Sequence, residues 1–583
     1  MKSIPCYTFS MQKYSVRGEI SDKIKKELDG NSAIVQHLLF HRGVKTKKEA
    51  EIFLNPNYSR DIHDPFLLKD MERAVIRILE AISKGQKILI YSDYDADGIP
   101  GAVVLHDFLK KIGYSNFENY FPHRHEEGYG LHLEAVEGFK KDKINLIITI
   151  DCGTADVEAV TSAQKAGIDV IITDHHLAQD AKIPPAFAIV NPKQSDCEYP
   201  YDMLCGSGIV YKLVQGILKK NNFGLKEGLE KWYLDMVGLA TLADMVPLQG
   251  ENRVFAYYGL KVLRMSQRKG LVKLMEKSKL QQRYICEDDI GFTLAPRINA
   301  ASRMGDPLQA FQLLTAEDDA TAETLATHLN TINDERKTIA ATITKEIKKQ
   351  IKKRNVGKTL DKKVLVIGNP DWRPALLGPV ANNLAEEFNV PVFLWGRADG
   401  EFIKGSCRSD GRISLLDLMN YVPKDLFVGF GGHKMSGGFS ISHEKIHTLE
   451  EALCVAYEHL VKNVPEVESL FVDMSLSIND ANWTTYGSIE KLAPFGIGNE
   501  KPLFIFENIV IDEVKLFGKE KNHLELSFRN SEGKKITSIG FFMKPEQFTK
   551  PLLKGEKINL VATMEKSMFR NFPELRLRIV DII

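Results

Sequence analysis

The chain has 583 residues, 44% of them hydrophobic and 26% charged, the balance of a globular protein with room for three or four domains. Its 77 basic and 77 acidic residues cancel to a formal net charge of zero, which excludes a uniformly basic polyanion binder and leaves any such partner to local basic patches. No apolar run approaches the roughly 20 residues that span a bilayer, and the seven cysteines form no CxxC, which excludes a zinc ribbon and points to reduced thiols in the cytoplasm.

Residues 1–86 carry no chemical motif. Residues 20–28, 33–42 and 46–54 are predicted as short amphipathic helices, and with the loop after them they read as a helical cap packed on the domain that follows. Met71–Ser83, apolar at Ala74, Val75, Ile78, Leu79 and Ile82, predicts a further helix leading into the first strand.

Residues 87–101 (KILIYSDYDADGIPG) hold the first chemical signal. Ile88, Leu89, Ile90 and Tyr91 form a run too short for an ordinary helix, so they predict a buried strand. Asp93, Asp95 and Asp97 follow at intervals of two. Such acids are neutralised by a hard divalent cation with oxygen ligands, or else form a solvated acidic turn. Gly98, Pro100 and Gly101 predict a sharp turn ahead of the apolar residues 102–109. A second strand, Leu146–Ile150, ends in Asp151-Cys152-Gly153-Thr154, and a third, at 170–173, ends in Asp174-His175-His176. In a parallel sheet all three ends lie on one edge, where open α/β sheets bind ligands. A fourth apolar stretch, 237–248, is broken by Asp244 alone, which is costly unless paired or ligated. Five aspartates and one or two histidines on one edge suit two metals sharing a bridging carboxylate. Cys152 and Cys407 read as small buried residues rather than nucleophiles.

Arg124, with His123 and His125, precedes Gly128-Tyr129-Gly130; a glycine-flanked cationic loop suits phosphate, or is a plain surface loop. Arg297 and Arg303 lie among small apolar residues in LAPRINAASRMG. They cannot be buried unpaired, so they pair with structural carboxylates or face a groove. Residues 318–354 read as one long helix free of Gly and Pro, its lysine-rich end a solvated face or else a nucleic-acid contact. Residues 364–367 and 390–394 are again buried strands. Two glycine-rich turns follow: KGSCRS, offering Ser406, Arg408 and free backbone N–H groups, and GFGGHKMSGG, offering Gly432, His433 and Lys434. Both suit a closely approaching phosphate. From 466 onward, five or six short strands separated by turns such as GKEKN and NSEG suit a small barrel.

DYDADG, IDCG, TDHH and LADMVP, in this order, resemble the four motifs of the DHH phosphoesterases. HRHEEGYGLH, LCGSGIVYKL, GFTLAPRINAASRMGD, NDERK, KGSCRS, GGHKMSGG and LAPFGIGNEKPLF narrow the resemblance to the bacterial members specific for single-stranded DNA, over about residues 30–583. The implied fold is α/β: a parallel-sheet DHH domain (87–317) joined by a long helix (318–361) to an α/β DHHA1 domain (362–465), then a C-terminal OB-fold barrel (466–583). The resemblance implies that Asp93, Asp95, Asp97, Asp151, His175 and Asp244 hold two Mn2+ or Mg2+ ions, with Asp151 bridging. His176 is then expected on the scissile phosphate and Asp174 behind it, orienting the histidine pair. Substrate is expected on Arg124, on at least one of Arg297 and Arg303, and on Ser406, Arg408, Gly432 and His433. In the barrel, Lys566, Phe569, Arg570 and Phe572 are candidates for strand contact. Three positions depart from the family pattern: Ser302 stands where relatives usually have Gly, residues 372–378 differ, and Tyr91 stands where some relatives place a His ligand. The last leaves Asp93 either a ligand or a support behind one.

The activity implied is two-metal hydrolysis of single-stranded DNA, 5′ to 3′, to mononucleotides, in DNA repair and recombination. It implies a monomer without membrane attachment, partnered by a helicase and a single-strand-binding protein. Spacing alone shows only a metal-assisted phosphoesterase. The rival enzyme reading is a short-oligonucleotide or cyclic-dinucleotide phosphodiesterase, whose smaller relatives generally lack the barrel. The rival without catalysis is a DNA-binding scaffold with a dead site, which expects lost acids.

Overall fold

The computed structural model describes residues 14–177, 182–354, 363–397, 402–462, 470–518, 520–548, 550–568 and 572–583. It divides into two compact units: residues 63–246 with 258–467, and residues 1–62 with 247–257 and 468–583. Among the described residues no helix is long and apolar enough to cross a membrane.

The first unit opens with α1 (Met71–Ser83), which buries Met71, Ala74, Val75, Ile78 and Ala81 as its periodicity predicts. Five parallel strands follow: β1 (Ile88–Ser92), β2 (Phe117–Tyr120), β3 (Leu146–Ile150), β4 (Asp169–Thr173) and β5 (Ala188–Val190), in the order β2-β1-β3-β4-β5. β1 and β3 are buried throughout, which is why their sequences are continuous apolar runs. The register pairs Ser92 with Ile150, Ile150 with Thr173 and Thr173 with Val190. The next residues, Asp93, Asp151, Asp174 and Asn191, therefore leave the sheet side by side. The strand order reverses between β1 and β3, the switch point at which such sheets bind ligands, and Asp93 and Asp151 stand there.

Gly98, Pro100 and Gly101 do not make the expected turn. They are the first turn of α2 (Gly98–Lys111), where amides lack intrahelical partners and a proline removes no bond. Further on lie α3 (Gly206–Lys220), α4 (Leu234–Ala243) and α5 (Ala295–Met304). The long helix is present as α6 (Asp319–Arg354), 36 residues and roughly 54 Å at 1.5 Å per residue. Its first half buries Ala322, Ala326, Leu329 and Ile332. Its second half puts Ile343, Ile347 and Ile351 into a core with Leu365, Ile367, Trp372 and Leu377. One rigid rod thus carries both halves of this unit.

The second sheet of the unit comprises β6 (Leu365–Gly368), β7 (Val392–Arg397), β8 (Ile403–Arg408), β9 (Gly429–Gly432) and β10 (Ser436–Ile441), ordered β9-β10-β8-β7-β6, with α7 (Leu377–Phe388) packed on it. KGSCRS is therefore not a glycine-rich turn. It is β8, paired antiparallel with β7 on one side and β10 on the other, so its amides serve the ladder rather than a ligand. Gly405 is small because a Cβ there would stand 2.2 Å from the Phe439 ring. GGHKMSGG is the β9–β10 hairpin, with Gly431 opposite Gly438 and Gly432 opposite Gly437.

The second unit is the barrel: β11 (Met474–Leu476), β12 (Phe504–Val510), β13 (Glu513–Phe517), β14 (His523–Arg529), β15 (Lys535–Gly540), β16 (Lys557–Ser567) and β17 (Glu574–Ile582), ordered β11-β12-β16-β17-β15-β14-β13. The cap is placed differently from expectation. Leu28, Val35, Leu38, Leu39 and Ala50 of the N-terminal helices share one core with Phe504, Phe506, Leu526 and Phe528 of the barrel. Tyr14–Val16 pairs in parallel with Leu470–Val472. The His37 ring nitrogen donates to the Asp473 carbonyl at 2.7 Å, and Arg42 donates to Asn499 at 2.9 Å. An amphipathic pattern shows that a helix buries one face but not against what; here the barrel supplies the partner.

Candidate metal centre

Each acid is held by main-chain amides or by its place at an element's end. Asp95 accepts from the Asp97 and Gly98 amides at 2.8 and 3.1 Å, at the start of α2. Asp97 accepts from the first two amides of α3, Gly206 at 2.6 Å and Ser207 at 2.8 Å, where the helix end favours an anion. The helix can come that close because residue 206 is glycine: a Cβ would stand 2.7 Å from the Asp151 Cβ. Asp151 itself has φ +60°, a left-handed conformation that aspartate tolerates better than most residues. Asp244 caps the end of α4 and is followed by Met245, also left-handed at φ +59°.

These elements converge on His175. Its Nε2 lies 3.1 Å from Asp151 Oδ1 and 3.8 Å from both Asp97 Oδ2 and Asp244 Oδ2. Three sets of potential ligand atoms each fall within 4.8 Å of one another: Asp93, Asp95 and Asp151; Asp151, His175 and His176; Asp97, His175 and Asp244. Asp151 belongs to two of them. Burial, with Asp95 next to it, raises the pKa of Asp93 and brings Asp97 to about 6; burial with the Asp97 charge raises Asp151 and Asp244. Burial and then the His176 charge hold His175 at about 3, so it is neutral with a lone pair to give. Asp93 Oδ1, Asp151 Oδ1 and His175 Nδ1 are buried and find no hydrogen-bond partner among the described residues. Five carboxylates and one neutral imidazole, with lone pairs left over in a buried space, fit the oxygen-preferring cations Mg2+ and Mn2+.

Asp174 stands apart from this set. It accepts from His175 N at 2.7 Å, His176 N at 3.1 Å, His176 Nδ1 at 2.8 Å and Thr154 N at 3.0 Å. Burial would raise it, but these bonds and the His176 charge outweigh burial and hold it below the usual carboxylate range. Burial would likewise lower His176, yet Asp174 holds it up at about 9. His176 is thus an imidazolium whose Nδ1 is occupied and whose ring faces His433 of the β9–β10 hairpin, centroids 6.0 Å apart and planes 21° apart. Sequence reasoning did not find two supports. The Tyr129 hydroxyl donates to the Asp151 carbonyl at 2.9 Å and lies 3.0 Å from His176 Nδ1. Asn191 donates to the His176 carbonyl at 2.8 Å and to Thr154 Oγ1 at 3.1 Å.

Cations gather beside the acids. Arg124 lies over the Tyr94 ring at 4.8 Å. Arg303 donates to the Ala375 carbonyl at 2.8 Å; burial, and then the charges of Arg124, Arg336 and Arg408, bring it down to about 9. Ser406 and Arg408 point to the same face of β8, as residues two apart on a strand do, opposite buried Gly405 and Cys407. Arg336, on α6 in NDERK, is the member that sequence reasoning did not single out, because a charged residue on a long helix reads as solvated. Arg297 lies next to Arg336, whose pKa its charge lowers, but its guanidinium is tied to the protein. It donates to Asn330 at 3.0 Å and to the Thr293 carbonyl at 2.8 Å, fastening α5 to α6. Gly432 has φ +140°, and a Cβ there would stand 2.4 Å from the Ser436 carbonyl oxygen; its place is to let the hairpin present His433.

The departures from the family pattern resolve into packing. Ser302 lies buried inside α5, where helical backbone needs no glycine. Trp372 is buried against α6, its Nε1 donating to Glu346 at 3.1 Å. Gly378 leaves room for Arg408, whose Nη2 would stand 3.1 Å from a Cβ there. Tyr91 donates to the Gly130 carbonyl at 2.6 Å and so lies in the core rather than at the metal edge. Burial pushes the Cys152 thiol up, and that of Cys407 up to about 12, so neither is a nucleophile.

On the barrel, taken by itself, Phe517, His523, Phe541 and Phe542 form an aromatic patch, with His523 5.1, 5.2 and 4.7 Å from the other three rings in that order. The Arg578 guanidinium lies 4.0 Å over Phe541. Phe572 is exposed; Phe569 and Arg570 lie outside the described residues.

The DHH family N-terminal domain matches residues 87–241, the DHHA1 domain 361–458 and the RecJ OB domain 472–581. The single-stranded-DNA-specific exonuclease RecJ of Bacillus subtilis (strain 168) is 32% identical over 575 residues, 98% of this chain and 71% of that one. The crystal structure of RecJ in complex with Mn2+ from Thermus thermophilus is similar with a TM-score of 0.79 at 24% identity, over 98% of this chain and 79% of that one. A crystal structure of exonuclease RecJ bound to manganese is 30% identical with a TM-score of 0.56, over 68% of this chain and 96% of that one. A relative this similar along nearly the whole chain, and three domain matches in the order in which the sheets and the barrel occur, lead to one conclusion: the chain belongs to the RecJ family of DHH phosphoesterases.

Proposed function

We propose that this chain is a two-metal exonuclease that hydrolyses single-stranded DNA from the 5′ end to mononucleotides. The observation that carries this reading is the set of ligand groups linked through Asp151 and His175 at the carboxyl edge of the parallel sheet, with His433 of the β9–β10 hairpin against His176; the reading puts the strand's cleft beside them. Asp93, Asp95, Asp97, Asp151, His175 and Asp244 would hold the ions; bound there, they lower the pKa of a coordinated water and neutralise charge on the phosphoryl oxygens. His176, kept cationic by Asp174, donates from Nε2 to a phosphate oxygen in the cleft. His433 closes the other side. Arg303 and the three arginines whose charges act on it, Arg124, Arg336 and Arg408, suit a terminal phosphate of charge near −2, and the reading assigns the 5′ end to this group. Ser406 and Gly432 serve this wall of the cleft, the first as a hydroxyl donor and the second by shaping the hairpin. Arg297 acts through the α5–α6 contact. The aromatic patch of the barrel offers ring faces on which bases would stack. The reading includes action as a monomer beside a helicase and a single-strand-binding protein, which sizing and pull-down measurements test.

The test of function is metal-dependent release of mononucleotides from a long single strand, compared with a blunt duplex and a dinucleotide. Equal rates on duplex and single strand would overturn the strand specificity. Activity on the dinucleotide alone would make the chain a short-oligonucleotide phosphodiesterase.

A further inference from the structure

Asn191 follows β5 at the same edge as the acids and is fully buried. Its amide holds the His176 carbonyl and Thr154, and its Oδ1 accepts from the Lys193 amide at 2.9 Å. The backbone of Lys193 is thereby locked to the loop that carries the histidine pair. The Lys193 side chain is half-buried, and among the described residues its ammonium makes no hydrogen bond or ion pair, although acids stand nearby. It lies close enough to His175, Asp244 and His433 for its charge to lower their pKa values. Lys193 follows β5 at one end of the sheet and Arg124 follows β2 at the other, where the Arg124 charge lowers Asp93 and the Asp95 charge acts on Arg303. The centre thus lies between a four-arginine cluster and a single lysine.

The two cationic groups differ in a way that matches a strand's own phosphates. Four guanidiniums suit a terminal monoester; one ammonium suits a diester of charge −1. We propose that Lys193 binds the phosphodiester one linkage beyond the scissile one, on the continuing strand, and so holds the strand across the metal centre. The inference rests on the exonuclease reading. A half-buried ammonium with no protein partner is the group that such a phosphate satisfies.

The test compares first-turnover kinetics of wild type, Lys193→Gln and Lys193→Arg on a long 5′-phosphorylated strand and on a 5′-phosphorylated dinucleotide, which lacks the second linkage. Lys193→Gln is expected to raise KM on the long strand about tenfold with kcat within about twofold, the pattern of lost uniform binding. It leaves the dinucleotide unaffected, which also reports an intact fold. Lys193→Arg recovers most of the loss. A neutral methylphosphonate at the second linkage costs wild type about the same factor and costs Lys193→Gln nothing further. Equal loss on both substrates, no loss on either, or an additive methylphosphonate effect overturns the proposal. Wild type that releases no mononucleotide from either substrate fails the exonuclease reading itself, and this inference with it.

Discussion

At the carboxyl edge of the parallel sheet, Asp93, Asp97, Asp151 and Asp174 are buried, and main-chain amides position the carboxylates of Asp97 and Asp174. On the barrel the buried side chains are Phe504, Phe506, Leu526 and Phe528, while Phe541 and Phe542 stand at the surface. In the first region the polar groups are the interior, and each is placed by the others. In the second the interior is apolar, and the proposed recognition is left to a patch of surface rings gathered around His523. Catalytic geometry needs the first kind of region because a carboxylate displaced by an ångström no longer shares a cation. Sequence-independent strand binding needs only the second, because every base has a face to stack.

The sharpest way to break that contrast is to change one atom of the interior. Asp151→Asn keeps shape, and asparagine accepts the left-handed backbone at φ +60°. The variant is expected to fold, to lose at least one metal and to lose turnover by about a thousandfold or more, since an amide is a poor bridge between cations. Two bound metals with normal turnover, read by metal analysis and single-turnover kinetics, would place the centre elsewhere.

Arg303→Met comes next in size. Removing a half-buried guanidinium from the field of Arg124, Arg336 and Arg408 relieves like-charge repulsion, so stability is expected to rise by about 1 kcal/mol. Strand affinity is expected to fall by about 2–3 kcal/mol, the worth of a charged hydrogen bond to phosphate. Thermal unfolding and equilibrium binding check both signs; a variant that is less stable and binds normally would make Arg303 a packing residue only.

For the barrel, the double change Phe541→Ala and Phe542→Ala is expected to weaken binding of long strands about tenfold, at the low end of ~1–3 kcal/mol per stacked base, and to leave dinucleotide turnover unchanged. Point substitutions are the right probe. Ending the chain before residue 468 would strip Leu28, Val35, Leu38 and Leu39 of their core and confuse loss of binding with loss of fold. A fall in dinucleotide turnover would erase the division of labour between the two regions.

The smallest effect concerns pH. Asp97 in the folded, metal-free protein is raised to about 6 by burial and Asp95, above its unfolded value near 3.9. A raised carboxylate pKa means that the folded state binds more protons than the unfolded one, so stability falls as pH rises from about 4 to about 6 and stays lower above it. Cations remove that penalty. Mn2+ is therefore expected to raise Tm by a few degrees more at pH 8 than at pH 5.5, and a pH-independent shift would count against carboxylates as the ligands.

Much of the metal edge was legible in the sequence because the signal is local. An apolar run followed at once by Asp is a buried strand whose end must be neutralised, and three such runs with helical segments between them define a parallel sheet and one edge. Met71–Ser83 and the long helix were legible for the same reason, since period and absence of Gly and Pro are properties of the segment itself. What the tertiary structure decided is everything that depends on a partner distant in the chain. The N-terminal helices show an apolar face, but only the fold shows that the barrel covers it. KGSCRS looks like a turn until β7 and β10 flank it, because small residues are read as bends when they in fact make room for Phe439. Arg297 and Arg303 are alike in local context, yet one donates to Asn330 and the other to the Ala375 carbonyl. Period and composition report what a residue must hide or satisfy; the identity of the group that satisfies it is fixed by contacts between segments far apart in the chain.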